Sequence, residues 1–315
     1  MAMSQSLVWE RDGLQWPHRA ASRFVQAGGL RWHVQQMGEA GARPVALLIH
    51  GTGASTHSWR GLMPMLARDF TVIAMDLPGH AFTATPPAAQ LSLPGMANAV
   101  GALVKALGVD VELIVGHSAG AAIGVRAVLD GALAPRAIVA INGAFLPLAG
   151  LPGLLFPPVA RLMAVTPLAS QLFARRSWDR AAVEKLIGGT GSTLDAHGLA
   201  LYGTLVRDAR HAAGALGMMA RWDLRPLAHD LARLRTPLTL VVGANDRAVP
   251  PRDAQRVRRL VPASTPCSIE TVRGAGHLVH EERPAEVAEL LLAAVHRVAH
   301  PAAAPTLDSE GFGAG

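Results

Sequence analysis

Five short runs constrain this chain more than any other feature: VALLI (45–49), TVIAM (71–75), VELIV (111–115), AIVAI (137–141) and LTLVV (238–242), followed by the less continuous CSIETV (267–272). The five are apolar at nearly every position instead of alternating with polar residues. That is the signature of strands covered on both faces, which a parallel sheet requires. Between them lie residues at helical spacing. Met96, Val100, Leu103, Val104 and Leu107 form one such stripe, with Gly108 as a stop signal. Val287, Leu290, Leu291, Ala294, Val295 and Val298 form another behind Glu281, Glu282 and Pro284, residues that suit a first turn. Strands alternating with helices predict an α/β fold with a parallel sheet and right-handed crossovers. Residues 22–37 predict a hairpin turning at Gly28-Gly29.

The alternation breaks between about 144 and 223, a stretch that reads as helical and rich in proline. The expected organisation is therefore a core formed by residues 1–143 and 224–299. Residues 144–223 form a helical insertion over the sheet edge, and an Ala/Pro/Gly tail occupies 300–315. At 315 residues and 50% hydrophobic, the chain buries a core without staples. One cysteine, Cys267, excludes a disulfide framework and a cysteine-based metal site. The net charge of +6 comes from scattered arginines with no basic run of five, which argues against nucleic acid. No basic start leads into an apolar signal segment. The most apolar stretch, 145–174, carries Arg161 and several prolines. It reads as a surface for peripheral membrane contact and not as a span.

The chemistry centres on GHSAG (116–120). It follows one apolar run and precedes a helix rich in small residues. A strand–turn–helix elbow of this form holds a serine in strained geometry with its hydroxyl exposed, and the flanking glycines keep helix and strand from clashing. The competing reading is a small-residue turn. A serine needs a base, and after such an elbow the acid and histidine follow in that order. Asp246 lies just past the run at 238–242, and His277 lies in a glycine-rich loop past the last strand. Taken singly, Asp246 reads equally well as a turn residue and His277 as a surface histidine. Together with the elbow they give a candidate triad of Ser118, His277 and Asp246. Oxyanion donors are expected from the N–H of Ala119 and from the loop HGTGAS (50–55), through Thr52 with Gly53 next in line. DLPGH (76–80) is expected to shape the site. The run His277-Leu278-Val279-His280-Glu281-Glu282 matches no zinc pattern, so no metal and no cofactor are expected.

With HGTGAS, DLPGH, GHSAG, GANDRAVP and GAGHLVHEERP spread over residues 24–298, the chain resembles the α/β-hydrolases. The resemblance implies an eight-stranded, mostly parallel sheet with helices on both faces and a helical cap after strand six. A narrower set includes INGAFLPLAG, LFPPVARLMA, GGTGSTLD, LYGTLVRDARHAAGALGMMARWDLRPL and the amino-terminal LVWERDGLQWPHR. These resemble the bacteriochlorophyll-biosynthesis α/β-hydrolases known as magnesium chelatase accessory proteins. That resemblance implies a role at an early tetrapyrrole step, with magnesium chelatase subunits as partners. It also implies a cytoplasmic site of action, peripheral to the photosynthetic membrane.

Two functions follow. One is a serine hydrolase acting on an ester-like bond of a large apolar small molecule such as a porphyrin. Its pocket would draw on Phe145, Leu146, Leu148, Phe156, Met218 and Met219. The other is a porphyrin-binding or chelatase accessory protein with an idle triad, in which Arg161, Arg175 and Arg176 grip the macrocycle's carboxylates. The same triad also serves cofactor-free peroxidases and carbon–carbon bond hydrolases.

Overall fold

The computed structural model describes residues 6–39, 41, 43–147 and 179–300. Its strands are β1 (Ser22–Ala27), β2 (Leu30–Met37), β3 (Val45–Ile49), β4 (Thr71–Met75), β5 (Val111–His117), β6 (Ala137–Ile141), β7 (Leu238–Gly243) and β8 (Cys267–Val272). They form one sheet in the order β1-β2-β4-β3-β5-β6-β7-β8. Only the β1–β2 and β2–β4 pairings are antiparallel; the other five are parallel. This is the eight-stranded, mostly parallel arrangement expected. All six runs read from the sequence are strands, and the hairpin turns at Gly28 and Gly29 as expected.

Among the described residues the helices of nine or more residues are, in chain order, α1 (Leu93–Leu107), α2 (Ala119–Leu129), α3 (Arg180–Gly188), α4 (Ala196–Val206), α5 (Ala209–Ala220), α6 (Arg252–Leu260) and α7 (Pro284–Ala299). Continuous apolarity in the strands has a direct structural cause. In β3, Leu47 and Ile49 join one core and Ala46 and Leu48 the other. In β4, Ile73 and Met75 separate in the same way from Val72 and Ala74. Helices α1 and α2 cover the first face, and α7 covers the second. Ser92 caps α1 by accepting from Gly95 N, and Gly108 ends it in a left-handed conformation (φ +65°), which glycine adopts without strain.

Two expectations need correction. The described part of the insertion, α3 to α5, packs over the loops at the carboxyl ends of the strands and not over the sheet edge. Val183, Ile187, Leu199, Tyr202 and Val206 cluster with Ala54 and Leu278, and Leu201 and Leu205 with Ala81 and Phe82. Aspartates cap all three helices: Asp179, Asp195 and Asp208 accept from Ala182 N, Gly198 N and His211 N. Second, Glu281 and Glu282 do not open α7. They belong to a separate short helix, Val279–Glu282, and the Glu281 side chain has no exposed surface. Pro284 does begin α7, as its fixed φ favours. Within the described residues no helix is long and apolar enough to cross a membrane. Most of the 145–174 stretch and the tail from 301 lie outside the described residues.

Candidate active site

The sheet order reverses at β3. The chain crosses from β3 to β4 on one side and then to β5 on the other, so the carboxyl ends of β3 and β5 flank a crevice. The loop after β3 is HGTGAS, and the turn after β5 carries Ser118. Ser118 sits at φ +52°, ψ −117°, a conformation costly for any residue with a side chain. Its neighbours hold it there: Ser118 N donates to Ile141 O (3.0 Å), and Ala144 N donates to Ser118 O (3.1 Å). The flanking glycines are obligatory. A Cβ on Gly120 would lie 2.0 Å from Ile49 O, and one on Gly116 2.4 Å from the Ala121 Cα. A Cβ on Gly51 would meet both His117 and the Ser118 Cβ, so the loop after β3 lies directly against the serine.

Asp246 follows β7 and is buried. Its Oδ1 accepts from Ala248 N (2.7 Å) and Val249 N (2.9 Å), which leaves Oδ2 to face His277 Nδ1 at 2.8 Å. A carboxylate accepts and does not donate, so Nδ1 carries a proton, and the tautomer this selects leaves the lone pair on Nε2. That lone pair is what a serine hydroxyl needs from a base. The His277 ring packs on that of His117, the residue preceding Ser118, with centroids 4.7 Å apart. No hydrogen bond between Ser118 Oγ and His277 Nε2 is formed among the described residues. Such contacts tighten when substrate binds.

Several residues that position this pair were not singled out in the sequence. Asn142, at φ +45°, donates to Gly276 O (3.0 Å) and His277 O (2.8 Å) and accepts from Gly243 N (2.8 Å). One side chain thereby joins β6, the base of the acid loop and the histidine loop. Its signal was the Asn-Gly pair directly after the strand. The segment between α3 and α4 does similar work from the cap. Thr190 O accepts from Arg247 N (3.1 Å) and His277 N (3.4 Å), and Ser192 Oγ accepts from Leu278 N (2.8 Å). Asp76 of DLPGH accepts from Thr56 N (2.8 Å), Phe82 N (3.2 Å) and His33, tying that loop to the residue directly after HGTGAS. Burial opposes its charge, but these donors outweigh burial and bring its pKa down to about 2. Ser22, His33 and Asp76 reproduce a serine–histidine–aspartate chain at 3.0 and 2.8 Å. Here His33 and Asp76 are sealed in the interior and Ser22 lies in a regular strand, so the pattern is structural.

Among the expected oxyanion donors, Ala119 N is the first N–H of α2. Thr52 N and Gly53 N have no acceptor among the described residues. Gly53 stands at φ +75°. Of the expected pocket residues, Phe145, Leu146 and Met218 are buried in the core under the site, and Met219 is half-buried. Met218 Sδ also accepts from Thr52 Oγ1 at 3.6 Å. Leu148 and Phe156, and Arg161, Arg175 and Arg176 of the binding alternative, lie outside the described residues. Glu281 is ion-paired with Arg60 and accepts from Tyr202 (2.8 Å), bridging core and cap. Burial lifts its pKa to about 7 against the pull of both partners.

The profile of the Alpha/beta hydrolase family matches residues 46–290. The "Magnesium-chelatase 30 kDa subunit" of Rhodobacter capsulatus is 38% identical over 266 residues, covering 84% of this chain and 91% of that protein. Solved structures share the fold. An alpha/beta hydrolase fold protein from Burkholderia ambifaria superposes with a TM-score of 0.71 at 24% identity, covering 87% of this chain and 97% of that one. A putative lipase from Acinetobacter baumannii superposes with a TM-score of 0.74 at 18% identity, covering 94% and 98%.

Proposed function

The chain belongs to the alpha/beta hydrolase family, and from that premise we propose that it is a serine hydrolase with Ser118 as nucleophile, His277 as base and Asp246 as the acid that orients it. The observation that carries this is the 2.8 Å Asp246–His277 pair, set at the same strand ends as a serine held in a strained elbow. Ser118 Oγ attacks the carbonyl carbon of an ester-like bond while its proton passes to His277 Nε2. The N–H groups of Ala119 and of Thr52 or Gly53 hold the oxyanion. Collapse of the tetrahedral intermediate breaks the bond to the leaving group, which takes the proton from His277. Water, deprotonated by the same imidazole, then releases the acyl group and restores the serine.

The substrate we propose is a large apolar tetrapyrrole intermediate close to magnesium insertion in bacteriochlorophyll biosynthesis. The likeness to a protein named as a magnesium-chelatase subunit supports this, as does an apolar cap over the site. The same likeness supports chelatase subunits as partners, and a cytoplasmic place of action with peripheral contact at the photosynthetic membrane through 145–174. It also favours a second reading, a porphyrin-binding accessory protein whose triad is idle. Labelling with a fluorophosphonate decides between them. The hydrolase reading expects labelling of wild type and none of Ser118→Ala. It also expects magnesium protoporphyrin monomethyl ester to be turned over by wild type alone. A folded wild type that binds the porphyrin and neither labels nor turns over is the accessory protein.

A further inference from the structure

Resting on that reading, the geometry points to His211 of the cap as a positioning residue for the oxyanion loop. His211 is on α5, buried, with its imidazole driven down between two loops of the core. Ala81 N donates to its Nδ1 (3.0 Å), and its Nε2 lies 3.1 Å from Gly53 O. A backbone N–H only donates, so Nδ1 accepts and the ring proton must be on Nε2, given to the Gly53 carbonyl. The partners alone set the tautomer. Burial reinforces it by lowering the pKa to about 4, so the ring stays neutral at working pH.

Gly53 closes the turn that presents the unpaired N–H groups of Thr52 and Gly53. Ala54 N returns to Gly51 O at 3.2 Å, and His50 Nδ1 also faces Gly51 O at 2.7 Å. One imidazole therefore holds each end of the turn: His50 from the core and His211 from the cap. Seven residues along the same helix, and so on the same face, Met218 touches the Thr52 hydroxyl. A peptide carbonyl and the N–H that follows it point in opposite directions. Fixing the Gly51 carbonyl therefore orients the Thr52 N–H in the same peptide plane, and fixing the Gly53 carbonyl orients the Ala54 N–H, so the Thr52–Gly53 peptide that carries the Gly53 N–H is held from both sides. The cap helix is thus part of the apparatus that stabilises the transition state, beyond enclosing substrate.

Two side chains of different reach separate the two bonds of this imidazole. In His211→Asn the amide oxygen reaches the Nδ1 position and keeps the Ala81 bond, and the Gly53 bond is lost. In His211→Gln the amide NH₂ reaches the Nε2 position and keeps the Gly53 bond. The assay is hydrolysis of p-nitrophenyl butyrate, together with binding of a phenylboronic acid, which forms a tetrahedral adduct on the serine. We expect kcat of His211→Asn to fall about 10- to 100-fold with KM nearly unchanged, and boronate affinity to fall by the same factor, while His211→Gln stays within a few-fold of wild type. Equal rates in folded Asn and Gln variants overturn the proposal and leave the hydrolase intact. If the Asn variant does not fold, a folded Gln variant with a full rate supports the proposal, and a hundredfold loss overturns it. A wild type that neither hydrolyses the ester nor binds boronate overturns both readings.

Discussion

Six of the buried histidines among the described residues are held neutral by their burial, and the protein should therefore unfold in mild acid. His50, His80 and His280 are pushed down to about 3 and His211 to about 4, and His57 and His117 lie well below the ordinary range; burial is the largest cause in each. In the unfolded chain each ring takes a proton near pH 6.5, and in the folded chain it does not. The unfolded state therefore holds more protons below that point, and stability falls as pH drops. At pH 5.5 each ring costs about 1.4 kcal/mol relative to pH 8, about 8 kcal/mol in total. Glu281 opposes this by about 2 kcal/mol, because its folded form gains a proton over the same range. A net loss of about 6 kcal/mol is comparable to the whole stability of a typical domain. The depressed pKa of Asp76 adds its own loss only below about pH 4. Urea unfolding followed by circular dichroism from pH 8 to 5 should show the midpoint collapsing, with unfolding in buffer alone between about pH 5 and 5.5. His280 isolates one ring. Among the described residues neither of its nitrogens has a hydrogen-bond partner, and its ring packs at a tilt against Trp59 and His117. His280→Phe should gain about 1.4 kcal/mol on wild type between pH 8 and 5.5. A wild-type free energy that is flat over this range, or a His280→Phe difference that does not change with pH, would refute the argument.

Two further outcomes are expected. Gly120→Ala drives a methyl group into Ile49 O and should destabilise the fold by about 3 kcal/mol, read as a shift in urea midpoint at pH 8; a shift below about 0.5 kcal/mol contradicts the packing of α2 on β3. Glu281→Gln still accepts from Arg60 through its amide oxygen and reverses the Tyr202 bond, its NH₂ donating to the phenol oxygen, but it cannot ionise. The folded carboxyl holds its proton up to about pH 7 and the unfolded one loses it near 4.5, so wild type loses about 2 to 3 kcal/mol from pH 5 to pH 8 through this group. The variant's stability profile should be flatter by that amount, and parallel profiles would remove Glu281 as a titrating group.

The strands, the elbow and the placement of Asp246 and His277 at strand ends were legible because each depends on local chemistry. Continuous apolarity reports burial on both faces, and Ser118, Asp246 and His277 each stand at a strand end in a loop shaped by glycine or a turn residue. What was hidden depends on contacts across the chain. Glu281 and Glu282 before Pro284 have the composition of a helix start, and nothing local shows that Arg60 and Tyr202, far away in sequence, enclose one of them. The insertion's place over the strand ends was equally hidden, since it is set by which apolar side chains of α3 and α4 meet Ala54, Phe82 and Leu278. His211 reads as one more polar residue in an amphipathic helix, and the contacts behind its proposed role emerge only where α5 meets Gly53 and Ala81. Asn142 was closer to legible, because Asn-Gly after a strand marks a turn, but its three partners lie more than a hundred residues away.

The segment between α3 and α4 gives Thr190 O to the loops of both Asp246 and His277, and Ser192 to Leu278. Anyone grafting a different lid onto this scaffold would therefore be rebuilding the proposed reaction centre as well as its roof. A transplant that spares residues 189–192 and the first turn of α5 should accept new specificity far more readily than one cut at the obvious boundaries on either side of the insertion.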